Sequence, residues 1–192
     1  MRNLFIRGAI RIGKSTHLRD TLNSFSFHTI GLSTQRIIDN ENNMKGYQGY
    51  LIKNKKMPQV NVLYTSKLKD IFIFEQRKNV GILERILADI NAALDEEVFD
   101  LIVFDEIGGV ELKSKKAFSL LHTILKRDIP CIGILKAYNH CQLGIDYEDE
   151  YKEFESFILL GGKIMDVDKS NLKMIDDELR KLLDEIERKR YQ

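Results

Sequence analysis

The segment Gly8-Ala9-Ile10-Arg11-Ile12-Gly13-Lys14-Ser15-Thr16 constrains the fold more than any other part of the chain. It satisfies the G-x-x-x-x-G-K-[ST] pattern at every required position. The flanks agree with the match. An apolar run, Leu4-Phe5-Ile6, leads into it, and Leu18 and Leu22 beyond it are spaced along one helical face. A strand, a glycine-rich turn and a helix N-terminus in that order form a cradle for phosphate.

Each residue type in the loop has a physical task. Gly8 and Gly13 let the backbone turn tightly and approach phosphate oxygens, while successive amides supply donors to the polyanion. Lys14 is expected to reach the β- and γ-phosphates as a point charge, and the Ser15 hydroxyl to ligate magnesium as a hard oxygen donor. Thr16 is expected at the α-phosphate. Arg11 has three readings: phosphate contact, solvent exposure or a salt bridge, the last two being preferred.

The second chemical signal is Phe99-Asp-Leu-Ile-Val-Phe104-Asp105-Glu106, a short apolar run ending in two acids. Ligands of open α/β sheets bind at the carboxyl ends of the strands, which is where these acids fall. Asp105 is expected to hold magnesium through its water shell, and Glu106 to orient or deprotonate a water beside the γ-phosphate.

The rest of the chain supplies a matching frame. Buried strands are predicted at Asn3 to Arg7, Phe27 to Leu32, Leu101 to Asp105, Cys131 to Leu135 and Lys163 to Val167. Helical stripes occur at Ile82, Leu83, Ile86, Ile90 and Leu94, at Phe118, Leu121 and Leu125, and at Leu172, Ile175, Leu179, Leu182 and Ile186. The last stripe suits packing on the protein's own core, with a coiled-coil partner as the alternative. Strands alternating with helices predict an α/β fold with a mostly parallel sheet covered on both faces, the strand of Asp105 not adjacent to the strand of the phosphate loop. Residues 44–76 read as a β-rich insertion in a single domain over residues 1–192. Within it, Gly46 to Ile52, Val60 to Tyr64 and Ile71 to Phe74 suggest an antiparallel hairpin with Lys53, Lys55 and Lys56 between two arms.

Composition excludes several classes. A formal net charge of +1 lacks the basic excess that phosphate-backbone binding demands, so nucleic acid is not favoured as a partner. Lys53, Lys55, Lys56, Lys67 and Lys69 with Tyr47, Tyr50 and Tyr64 keep it open as an alternative, against a solvated hairpin whose tyrosines face the core. The two cysteines, Cys131 and Cys141, have neither CxxC nor zinc spacing, and adjacent His140 adds no usable fourth ligand, which suits a reducing cytoplasm. No apolar run approaches the ~20 residues of a membrane-spanning helix. His122 reads as a half-buried helix residue, and Asp146 to Glu155 as a solvated loop entering a short helix, or alternatively a lid.

Gly8 to Thr16 together with Asp105-Glu106-Ile107-Gly108-Gly109-Val110-Glu111-Leu112 resemble the thermophile-type, or cancer-related, nucleoside-triphosphatase family of P-loop NTPases. There the second segment typically reads Asp-Glu-Ile-Gly-Pro-Met-Glu-Leu. Weaker similarity runs through Gly31 to Arg36, Gly46-Tyr47 and the terminal strand and helix. The resemblance implies a magnesium-dependent enzyme of broad base tolerance that hydrolyses ATP, GTP and other triphosphates. On this implication Gly13, Lys14, Ser15 and Thr16 bind triphosphate, Asp105 supports magnesium and Glu106 activates water. Three departures stand out: Ile10-Arg11 for the family's Pro-Gly, Gly109-Val110 for Pro-Met, and Asn171-Leu172 for Asn-Arg. A small-molecule or polynucleotide kinase, or a nucleotide-dependent switch protein with little turnover, would use the same loop.

Overall fold

A computed structural model describes residues 3–75, 77–138 and 147–190. His140, Cys141 and Asp146 lie outside the described residues. The first strand, β1 (Asn3–Gly8), runs into the phosphate loop and α1 (Lys14–Leu22). Then come β2 (Thr29–Ile38), β3 (Met44–Lys53), β4 (Asn61–Leu63), β5 (Ile71–Phe74) and β6 (Arg77–Lys78). The remaining elements alternate: α2 (Val80–Glu96), β7 (Leu101–Ile107), α3 (Lys115–Leu125), β8 (Cys131–Lys136), α4 (Glu148–Gly161), β9 (Gly162–Val167) and α5 (Met174–Arg190).

The strands join one sheet in the order β6-β5-β3-β2-β7-β8-β1-β9, with β4 paired to β2. Its centre, β2-β7-β8-β1-β9, is parallel throughout. Strand β7, which carries the two acids just before its last residue, is separated from β1 by β8, as the sequence predicts. Parallel strands covered on both faces must be apolar on both sides, and Leu101 to Phe104 are fully buried accordingly.

Two apolar cores lie on opposite faces. Helices α2, α3 and α4 cover one, with Ile86, Leu121 and Phe154 packed around Phe5 and Phe104. Helices α1 and α5 cover the other, where Leu18, Ile175, Leu179 and Leu183 meet Leu4, Ile6 and Ile134. Each such side chain contributes about 1.5–3 kcal/mol on burial. The terminal stripe therefore packs on the protein's own core.

The hairpin differs from expectation. Strand β2 runs past the parallel sheet to Ile38 and pairs antiparallel with β3, while β4 adds to β2 in parallel. The arms are thus β2 and β3, and the lysine segment follows β3 instead of forming a tip. The turn belongs to residues 39–43: the Asp39 carboxylate accepts from the amides of Glu41 (2.9 Å) and Asn43 (2.8 Å), and Asn42 takes φ 65°. Asx-turn chemistry of this kind sets hairpin register. Lys53 is ion-paired to Glu97. Tyr47 packs on the first core and Tyr50 on the second, whereas Tyr64 lies tilted against Phe74, their ring centroids 5.0 Å apart.

The acidic stretch also differs where it is described. Helix begins at Glu148, with Glu148, Asp149 and Glu150 in the first turn, where carboxylates complement the helix dipole. Tyr151 and Phe154 are buried. His122 is half-buried in α3 with its ring 3.9 Å from that of Phe157. Among the described residues, no helix is long and apolar enough to cross a membrane.

Candidate active site

The loop between β1 and α1 is a tight glycine-bearing turn from strand to helix. Gly13 sits at φ 105° immediately before α1, a left-handed conformation natural to glycine. Helix α1 has no side-chain cap, and its first intrahelical bonds are those from Thr16 and His17 to the Gly13 carbonyl, both 3.0 Å. The amides of Lys14 and Ser15, ahead of those bonds, are thus left for an anion. Gly8 admits no side chain, since a Cβ there would stand 2.1 Å from the Val167 carbonyl oxygen of β9.

Lys14 folds back across this loop. Its ammonium donates to the carbonyls of Gly8 (3.0 Å) and Ala9 (2.7 Å), and burial lowers its pKa, opposed by the charges of Glu106 and Asp105. Glu106, about ninety residues further along the chain, is therefore electrostatically coupled to the loop.

Asp105 is buried at the end of β7, registered opposite Ser33 of β2. Burial, joined by the Glu106 charge, pushes its pKa up to about 6, opposed by the hydroxyls of Ser15 and Ser33 nearby. The Ser33 hydroxyl donates to Oδ2 over 3.4 Å, and among the described residues the buried Oδ1 has no hydrogen-bond partner. An orphaned carboxylate oxygen beside a serine hydroxyl suits a hard divalent cation. Glu106, the next residue, is half-exposed.

Four residues carry signals to which motif reading assigns no role, although Glu111 belongs to the quoted motif. Ser33 and Gln35 are buried polar positions two apart on β2, the period of one strand face. Gln35 donates to the Gln59 carbonyl at 2.6 Å and accepts from Gln48 at 2.7 Å. Glu111 is buried and accepts from the amides of Gly108 (2.5 Å) and Gly109 (2.8 Å), shaping the turn that follows Glu106. Lys136 ends β8 between the two motif-bearing strands.

The departures from the resembled family have structural counterparts. Arg11, at the family's glycine, is exposed and left-handed at φ 60°. Ile10 is 53% exposed. Leu172, at the family's arginine, lies against the loop, 3.5 Å from where a Gly13 Cβ would be.

A mostly parallel sheet with helices on both faces, a glycine loop entering α1 and a carboxylate pair one strand removed define a P-loop NTPase fold. A family model described as NTPase matches residues 3–186, and the chain belongs to that family. It is 28% identical over 140 residues to Nucleoside-triphosphatase THEP1 of Methanosarcina acetivorans, a match covering 70% of this chain and 76% of that protein. The crystal structure of THEP1 from the hyperthermophile Aquifex aeolicus shares the fold, with a TM-score of 0.62 at 21% identity over 94% of this chain and 98% of that one.

Proposed function

We propose that this chain is a magnesium-dependent, cytoplasmic nucleoside-triphosphatase that hydrolyses the γ-phosphate of ATP, GTP and other triphosphates. The observation that carries the reading is the convergence of Lys14, Asp105 and Glu106: two elements about ninety residues apart in sequence meet at one sheet edge, close enough for both acids to act on the Lys14 charge. Similarity to a named nucleoside-triphosphatase supports it.

Lys14 and the loop amides from Ala9 to Ser15 bind the triphosphate and neutralise charge as it moves onto the β–γ bridge. Thr16 holds the α-phosphate. Ser15 and Asp105 fit a magnesium ion, whose chemistry when bound is to neutralise phosphate oxygens. Glu106, half-exposed where water has access, takes the proton of the attacking water. Diphosphate and inorganic phosphate result.

The decisive test is Glu106→Gln, which keeps size and hydrogen bonding but removes the base. Triphosphate binding should persist while phosphate release falls roughly 10²-fold or more. Wild-type turnover in this variant would move the base elsewhere, and transfer seen only with an added acceptor would make the protein a kinase.

A further inference from the structure

Lys136 closes β8, the strand inserted between β1 and β7. On one side it is registered opposite Gly8, the first residue of the phosphate loop. On the other, its neighbour Leu135 is registered opposite Ile107, the residue after Glu106. Strand order alone thus delivers a cation to the seam between the loop and the acid pair.

Its surroundings hold it there. The Tyr151 hydroxyl donates to the Lys136 carbonyl at 2.8 Å. The stem leans over the end of β7, with Cδ 3.8 Å from where a Gly109 Cβ would stand. Its charge also acts on the buried Glu111 carboxylate. Among the described residues the ammonium makes no hydrogen bond or ion pair. The other cations nearby are different: Arg7 is bound to Asp166 and Glu155, and Lys14 spans its own loop.

We propose that Lys136 contacts the transferred γ-phosphoryl group and is a catalytic residue, the cation supplied from within this chain; the assignment rests on the hydrolase reading above. In the reaction the water oxygen bonds to the γ-phosphorus as the bridging P–O bond breaks. The water proton passes to Glu106, and the bond's electron pair leaves with the diphosphate. Charge spread over the equatorial oxygens of the γ-phosphoryl group is stabilised by a donor besides the loop, and one such donor contributes on the order of 10²-fold or more in rate. Lys136 stays protonated throughout.

The test compares wild type with Lys136→Met, which keeps the stem without the charge, and Lys136→Arg, which restores it. Two readouts are taken: single-turnover phosphate release, and trapping of a fluorescent nucleoside diphosphate with aluminium fluoride and magnesium. Lys136→Met should bind diphosphate as wild type does, release phosphate roughly 10²-fold more slowly and lose the trapped complex, and Lys136→Arg should recover most of both. If Lys136→Met does not fold, Lys136→Gln is read in its place. Wild-type release and trapping in the uncharged variant would overturn the assignment while leaving the hydrolase reading intact. Absence of release by wild type itself would overturn the hydrolase reading and this one with it.

Discussion

Glu111 accepts a hydrogen bond from the amide of Gly109 at 2.8 Å, closing the turn that follows the acid pair. Proline, the residue of the resembled family at position 109, has no amide hydrogen to give. It also needs φ near −65°, whereas Gly109 sits at −121°. Gly109→Pro should therefore destabilise the protein by about 2–3 kcal/mol. Gly109→Ala should cost under about 1 kcal/mol, because the site leaves 3.4 Å to the nearest atom at an ordinary φ. Urea unfolding of both variants checks the contrast, and equal losses would remove the role given to the Gly109 amide.

Lys14 holds the carbonyls of Gly8 and Ala9 with two of its three donors. The β/γ position assigned to its charge predicts selective loss in Lys14→Ala: triphosphate affinity falls about 10- to 100-fold, as expected for charge-assisted bonds, and diphosphate affinity much less. Titration calorimetry with ATP and ADP measures both. Equal affinity of variant and wild type for ATP would sink the assignment.

Asp105 links the site to pH. Burial raises its pKa to about 6, above the unfolded value near 3.9, so the folded chain binds the proton more tightly. The stability contributed by this group is complete below about pH 4 and is lost as the pH rises through about 6. Asp105→Asn carries no such dependence, so the metal-free variant should be more stable than wild type at pH 7 by on the order of 2 kcal/mol, with the gain vanishing near pH 4. Lys14, Glu106, Ser15 and Ser33 surround the group and stay constant in the comparison. Wild type should also need more magnesium for half-maximal activity below about pH 6, and the variant more at every pH. Calorimetric melting across this range checks the first effect; a pH-independent stability difference would refute it.

Arg11 occupies a left-handed conformation at φ 60°, which costs a non-glycine residue about 1–2 kcal/mol. Glycine relieves this but gains unfolded-chain entropy, so Arg11→Gly should stabilise the protein by about 0.5 kcal/mol. Arg11→Ala keeps the strain and should leave stability nearly unchanged. Denaturant midpoints separate the two variants, and equal midpoints would mean that φ is not the cause.

The sites of the parallel strands, the main helical stripes and the phosphate loop were legible because each is written in local spacing. Leu18 and Leu22 mark a helix face, and Leu101 to Phe104 read as a strand buried on both sides. The hairpin was misread because β2 has two kinds of partner along its length: β7 pairs with residues 29–33 and β4 with residues 36–38. The acidic stretch was expected to enter a short helix, but that helix starts at Glu148 and runs to Gly161, because Glu148 to Glu150 look like a solvated loop until Tyr151 and Phe154 turn inward.

By itself the sequence determined the phosphate loop, the acid pair and the α/β alternation, since glycine spacing, residue charge and apolar period are properties of neighbours along the chain. Only the tertiary structure decided that Ser33 faces Asp105, that Glu111 closes the turn after Glu106, and that Lys136 stands between the two motifs. The Ser33 and Lys136 placements follow from strand order and register, which are fixed by packing between residues far apart in the chain, whereas the Glu111 turn is local and depends on the backbone path that burial of the carboxylate selects.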